Sequence, residues 1–226
     1  MKKLVISLLV IFTLSLSVFS VSFLTPEAGV IEEGYIYTDT FNPAWGLRWG
    51  LFGFIETGVS QVNNGAYLKA GFNELNGVPV KFSLGYSNTF NYQSSIFSAI
   101  GYDSDFMYFD VGAIYYEETR WDESSSDNLI FRNYGAFAKT SVNIIKEDLS
   151  DSYLNLEGAI GFKDDFSVEN YMVSFYGVQD FKNKIWIFDG LNLYAGLSFQ
   201  NETSSSIVLI EDMNIVLGLS TRIKVF

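Results

Sequence analysis

The 226-residue chain carries 26 Asp and Glu against 14 Lys and Arg, a formal charge of −12, and contains neither Cys nor His. Disulfides and thiolate chemistry are thereby excluded, and the commonest general base and commonest metal ligand are missing. An acidic chain with no basic stripe is also a poor partner for nucleic acid. With 21 Phe, 14 Tyr, 19 Gly and only 3 Pro, and no segment suited to a linker, the composition favours one large all-β domain.

Residues 1–22, MKKLVISLLVIFTLSLSVFSVS, place two lysines before an uncharged apolar run that ends in small residues, the pattern of a cleaved secretory signal peptide. A retained N-terminal membrane helix is the alternative, since the run is long enough to span. Loss of Lys2 and Lys3 would move the formal charge to −14. Phe23–Ala28 then reads as a short extended lead containing Pro26, and residues 23–226 as the mature domain.

Strands follow in series, each marked by a period of two. Gly29–Thr40 is the first, closed by a turn at Phe41-Asn42-Pro43. Trp45–Phe52 sets Trp45, Leu47, Trp49 and Leu51 against Gly46, Arg48 and Gly50. Phe54–Val62 puts Ile55, Thr57 and Val59 opposite Glu56, Gly58 and Ser60, before a turn at Asn63-Asn64-Gly65.

Ala66–Ser87 is a hairpin with one apolar face. Leu68, Ala70, Phe72, Val80, Phe82 and Leu84 share it, and Lys69 and Lys81 both take the other. That parity requires an odd connection, for which Leu75-Asn76-Gly77 fits, with Gly77 in a left-handed conformation. The uncharged stretch Phe82–Tyr102 is too rich in Ser, Asn and Gln for a membrane helix, and splits at a turn near Asn91–Ser95.

Asp105–Glu118 turns Met107, Phe109, Val111 and Ala113 away from Asp110 and Gly112. Thr119–Asn128 is the longest and most acidic connection and reads as a solvated loop. Ile130–Asn143, Tyr153–Lys163, Val168–Phe181, Leu191–Gln200 and an arm within Ile207–Phe226 complete the series. The total is about twelve strands of about nine to twelve residues, with ten the alternative.

The faces of these strands distinguish a membrane barrel from a soluble sandwich. The non-apolar face is mostly Gly, Ser, Asn and Ala with isolated charges, while acidic residues gather in the turns. A sheet facing hydrocarbon must close on itself, because each unmet backbone group would cost several kcal/mol there. Tyr and Trp near strand ends (Trp45, Tyr86, Tyr92, Tyr102, Tyr116 and Tyr153) suit the interfacial girdles.

The export signal, the alternating strands and the final segment NIVLGLSTRIKVF ending in Phe226 together resemble the bacterial outer-membrane β-barrel proteins. The resemblance is architectural and reaches no subfamily. It implies a closed antiparallel up-and-down transmembrane barrel in the cell outer membrane, with outer-membrane lipids as its surroundings. One departure concerns the end of the chain, where alternate positions counted back from Phe226 are Lys224, Arg222, Ser220 and Gly218. The apolar set Ile223, Leu219, Leu217 and Ile215 is out by one, so either a bulge shifts the strand or Phe226 lies beyond it.

Parity places Arg48, Glu56, Lys69, Lys81, Asp110, Lys139 and Glu157 on the inward face, where they could form a ladder. Such charges would line a constriction selecting small solutes or ions. Alternatively, Arg48, Glu56 and Lys69 pair with one another and plug the lumen. The expected role is passive transport of small solutes or ions. A filled barrel with a structural or adhesion role in the envelope is one alternative, and a soluble secreted β-barrel binding an apolar ligand is another.

No enzyme is expected: Glu56 and Asp110 lack a supporting motif as a carboxylate pair, and the barrel lipases that share this architecture use Ser and His. No cofactor or metal is expected either, because the acidic run Glu117–Asp127 fits no EF-hand spacing. Asn201-Glu202-Thr203 matches a glycosylation sequon at chance frequency. With an even strand count both ends would face the periplasm and Thr119–Asn128 the exterior.

Overall fold

The computed structural model describes residues 25–40, 45–60, 65–88, 93–122, 127–184, 187–202 and 213–225. Twelve antiparallel strands form one closed barrel: β1 (Tyr35–Thr40), β2 (Gly46–Leu51), β3 (Ile55–Ser60), β4 (Gly65–Phe72), β5 (Val80–Asn88), β6 (Gln93–Asp103), β7 (Met107–Asp122), β8 (Asp127–Lys146), β9 (Ser150–Phe162), β10 (Val168–Phe181), β11 (Leu191–Glu202) and β12 (Met213–Lys224). Each strand pairs with its sequence neighbours, and β12 returns to β1 with Tyr35 opposite Lys224, so no sheet edge remains. The even count brings the start of β1 and the end of β12 to the same end of the barrel.

The outer wall is apolar. Leu47, Leu68, Leu84, Ile96, Ile100, Phe175, Ile215 and Leu217 are each about half or more exposed. Strand β12 runs without a bulge, with Ile215 and Leu217 exposed and Val216 and Ser220 buried. It ends at Lys224; Phe226 lies outside the described residues.

Several boundaries depart from the sequence reading. Gly29–Gly34 does not join the first strand. Gly29 and Gly34 both take φ of +80°, which breaks extended pairing, and Val30 and Ile31 are buried inside the barrel. The hairpin between β4 and β5 closes through a two-residue turn, Asn76-Gly77, with both φ values positive and Leu75 bridging Val78. The odd residue that parity demands lies on the second arm beside Pro79, which cannot donate to a ladder, between the Leu75–Val78 and Phe72–Phe82 pairs.

Of the acidic stretch Thr119–Asn128, residues 119–122 and 127–128 are strand, since β7 and β8 stay paired as far as Asp122 opposite Asp127, and residues 123–126 lie outside the described residues. Backbone pairing across a long ribbon overrides the polar composition there, and strand lengths accordingly reach 20 residues in β8 while β1 to β3 have 6 each. Among the described residues no group of three or more acidic side chains is arranged to hold a metal ion. In the β9–β10 turn, the Ser167 amide and hydroxyl both donate to Asp165, holding its carboxyl below the usual carboxylate range.

The inner wall is not uniformly small. Phe97, Phe137, Tyr176 and Tyr194 point inward, and each lies directly across from a glycine on the adjacent strand: Gly85, Gly112, Gly196 and Gly218. A Cβ on any of these glycines would run into the facing residue, so the inward glycines are seats for cross-strand rings. Tyr67, Phe97 and Ile114 form one buried inner cluster, with Tyr116 packed against it. Tyr116 is thus an inward residue rather than part of an interfacial girdle. Tyr153 also turns inward, its hydroxyl on Asp151 at 3.3 Å. Trp45, Tyr86 and Tyr102 are exposed on the outer wall, and Tyr92 lies outside the described residues.

Candidate functional site: a charged lumen occupied by the N-terminal lead

Alternation on adjacent strands puts a single row of side chains across the inner wall. Lys81, Gly101, Asp110, Lys139, Glu157, Ser174 and Ser198 are successive register partners from β5 to β11. Glu56 and Lys69 are direct partners on β3 and β4. Arg48 lies on β2 opposite Gly58. Glu56, Lys69, Asp110, Lys139 and Glu157 are buried, and the Arg48 and Lys81 side chains are only partly accessible.

The charges do not pair as one cluster. Lys69 Nζ meets Glu56 at 2.7 Å, and the Tyr67 hydroxyl donates to the other oxygen of Glu56 at 2.5 Å. Arg48 turns away from that pair to Asp39, 2.9 Å away on β1, and to Glu27 at 3.4 Å. Lys81 pairs with Asp103 at 2.6 Å, and Tyr108 lies between two ammonium groups, with Lys81 Nζ 5.0 Å and Lys139 Nζ 5.5 Å from its ring centre. Asp110 accepts from the Tyr108 hydroxyl.

The lumen is shared with the lead that precedes β1. The Thr25 amide donates to Glu157 at 2.5 Å and its hydroxyl donates to the same oxygen. The Ala28 amide donates to Asp110 at 3.0 Å and the Ile31 amide to Glu56 at 3.0 Å. Three inward carboxylates thus hold three backbone amides at a spacing of three residues. Between them Asn73 grips Val30 twice, accepting from its amide at 2.9 Å and donating to its carbonyl at 2.7 Å. Ser83 donates to the Glu27 carbonyl at 2.9 Å, and Lys139 pairs with the Glu27 carboxylate at 3.2 Å.

β9 and β3 stand six places apart in a ring of twelve, so Thr25–Ile31 crosses the lumen from one wall to the opposite one. Such carboxylate-to-amide bonds are charge-assisted and stronger than neutral ones. They also add donors to Asp110 and Glu157, whose carboxylates otherwise face tyrosine hydroxyls, and to Glu56 beside Lys69.

Beside the lead remains a cavity of about 260 Å³, bounded by Thr25, Glu27, Tyr37, Arg48, Lys139 and Tyr194. At the end where β1 begins and β12 finishes, two recesses of about 440 and 190 Å³ share Asp103, Ser104 and Asp105 in their walls.

Glu27 could not be found by strand parity, because it sits in no strand, whereas Asn73, one residue past β4, keeps the parity of Lys69 and Gly71. Asp39 could have been, since it alternates with Tyr37 on β1.

No protein-family model and no curated protein matches the chain. Among solved structures, it is similar to a NanC porin at 9% identity, over 85% of this chain and 98% of that one, with a TM-score of 0.46. The likeness is distant, and the chemistry of this lumen is set by the barrel's own residues.

Proposed function

We propose that the chain is exported by residues 1–22 and spans the outer membrane as a barrel that passes small polar solutes or ions. The signal segment itself lies outside the described residues. The observation that carries this reading is the pairing of an apolar outer wall with a charged inner wall that borders a 260 Å³ cavity. Glu56, Asp110 and Glu157 would then act by holding the lead's amides and Arg48 and Lys139 by holding Glu27 beside the path, while Lys69 and Lys81 pair with Glu56 and Asp103. Both termini would face the periplasm, and the β7–β8 ribbon the exterior.

A filled barrel with a structural role is favoured by a separate observation, the inner clusters around Phe97 and Phe137. An apolar ligand inside a soluble barrel would have to displace charged side chains along the row.

Reconstituted in planar bilayers, the full chain is expected to give a small conductance with a weak cation preference, because Glu74, Asp103, Asp105 and Asp151 outnumber Lys81 and Lys146 in the walls of the two recesses. Folded, inserted protein that carries no current at any voltage would leave the filled barrel standing.

A further inference from the structure

Resting on the channel reading, we infer that the lead Thr25–Ile31 is a displaceable plug, an internal ligand whose departure opens the lumen. The amides of Thr25, Ala28, Val30 and Ile31 are bonded to the side chains of Glu157, Asp110, Asn73 and Glu56 rather than to a strand edge. Its one carboxylate, Glu27, is held by Lys139 and Arg48 at 3.2 and 3.4 Å while its side chain stays half exposed.

Side-chain sockets of this kind can exchange a peptide for water without disturbing the ladder, which closes independently through β1 and β12. The wall left behind is charged and therefore hydratable, unlike the apolar wall that a permanent plug would need to keep covered. The apolar grip comes from three lead residues: Ala28, clustered with Ala99 and Phe137, and the buried side chains of Val30 and Ile31, which belong to neither inner apolar cluster.

The geometry also supplies a hinge and a point of control. Gly34, at φ +80°, joins the lead to β1, and its amide donates to the Gly50 carbonyl at 3.2 Å. Gly29 also sits at φ +80°, and a Cβ there would run into the Asn73 side chain that grips Val30. A larger residue at 29 therefore unseats the lead, and the added Cβ meets β5 only at the flexible Lys81 side chain, at an ordinary contact distance of 3.4 Å.

Because the chain has no Cys, an engineered pair at Ala28 and Ala99, neighbours in one buried cluster, can pin the lead selectively. The test records single-channel current from the full-length A28C/A99C protein before and after diamide oxidation, and from Gly29→Val. Bond formation is confirmed by mass spectrometry and reversed by dithiothreitol.

The expected result is an open probability at least tenfold lower in the oxidised pair than in the reduced one, and at least tenfold higher in Gly29→Val than in the parent. Equal gating in the oxidised and reduced pair, or a Gly29→Val protein as closed as the parent, would overturn the plug while leaving the channel intact. A chain lacking residues 25–31 that folds, inserts and still carries no current would overturn the channel reading as well.

Discussion

Replacing Lys69 with alanine is expected to destabilise the folded barrel by about 3–5 kcal/mol, because it strands Glu56 as a charge with no counter-ion. Both side chains are almost fully buried, and they meet at 2.7 Å. The Ile31 amide and Tyr67 hydroxyl remain on Glu56, but neither carries positive charge. Urea titration of the protein folded into lipid vesicles would measure the loss. Removing both ends of the pair, as Lys69→Met with Glu56→Met, should recover most of it, since a well-packed apolar pair of similar volume is often neutral or better. A Lys69→Ala protein as stable as the parent would mean that the pair is solvated in the membrane-embedded barrel.

The second large effect concerns the outer wall. Leu84 is half exposed, and along β5 Phe82 and Tyr86 are exposed with it while Ser83 and Ser87 are buried. An arginine at 84 would face hydrocarbon near the middle of the strand, at an expected cost of about 2–4 kcal/mol in the same vesicle titration. Arginine in place of Asn76, in the turn beyond the strand, should cost far less, because it can reach water. Equal costs at the two positions would mean that the outer wall does not meet lipid.

Much of this fold could be read from the sequence, because a period of two acts residue by residue. The faces of β3, β4 and β5 follow directly from alternation, as do the bounds of β10 at Val168–Phe181. Alternation also gives the side on which the seven inward charges lie, but not what they touch. Arg48 finds Asp39 and Glu27 rather than Glu56, because the choice among equally inward neighbours depends on register across the ring.

Local composition misled where long-range structure decides. Gly29–Gly34 resembles the start of a strand because Val30 and Ile31 are apolar; they belong instead to a lead that crosses the lumen, with left-handed glycines at 29 and 34, and are buried against the inner wall. Thr119–Asn128 resembles a loop because it is acidic, yet its described residues, 119–122 and 127–128, belong to a ribbon stabilised by backbone pairing. The small inward residues read only as a non-apolar face; the structure adds that glycines among them make room for the rings of Phe97, Phe137, Tyr176 and Tyr194.

The central claim, a barrel wrapped in lipid around a polar, peptide-filled lumen, is tested most directly by spin-label accessibility along β5. Single cysteines at Phe82, Leu84 and Tyr86 in the Cys-free chain, labelled in lipid vesicles, should be open to oxygen and closed to a water-soluble nickel complex. A label in the turn at Asn76 should behave oppositely. Labels at 82, 84 and 86 as accessible to nickel as the one at 76 would contradict the account.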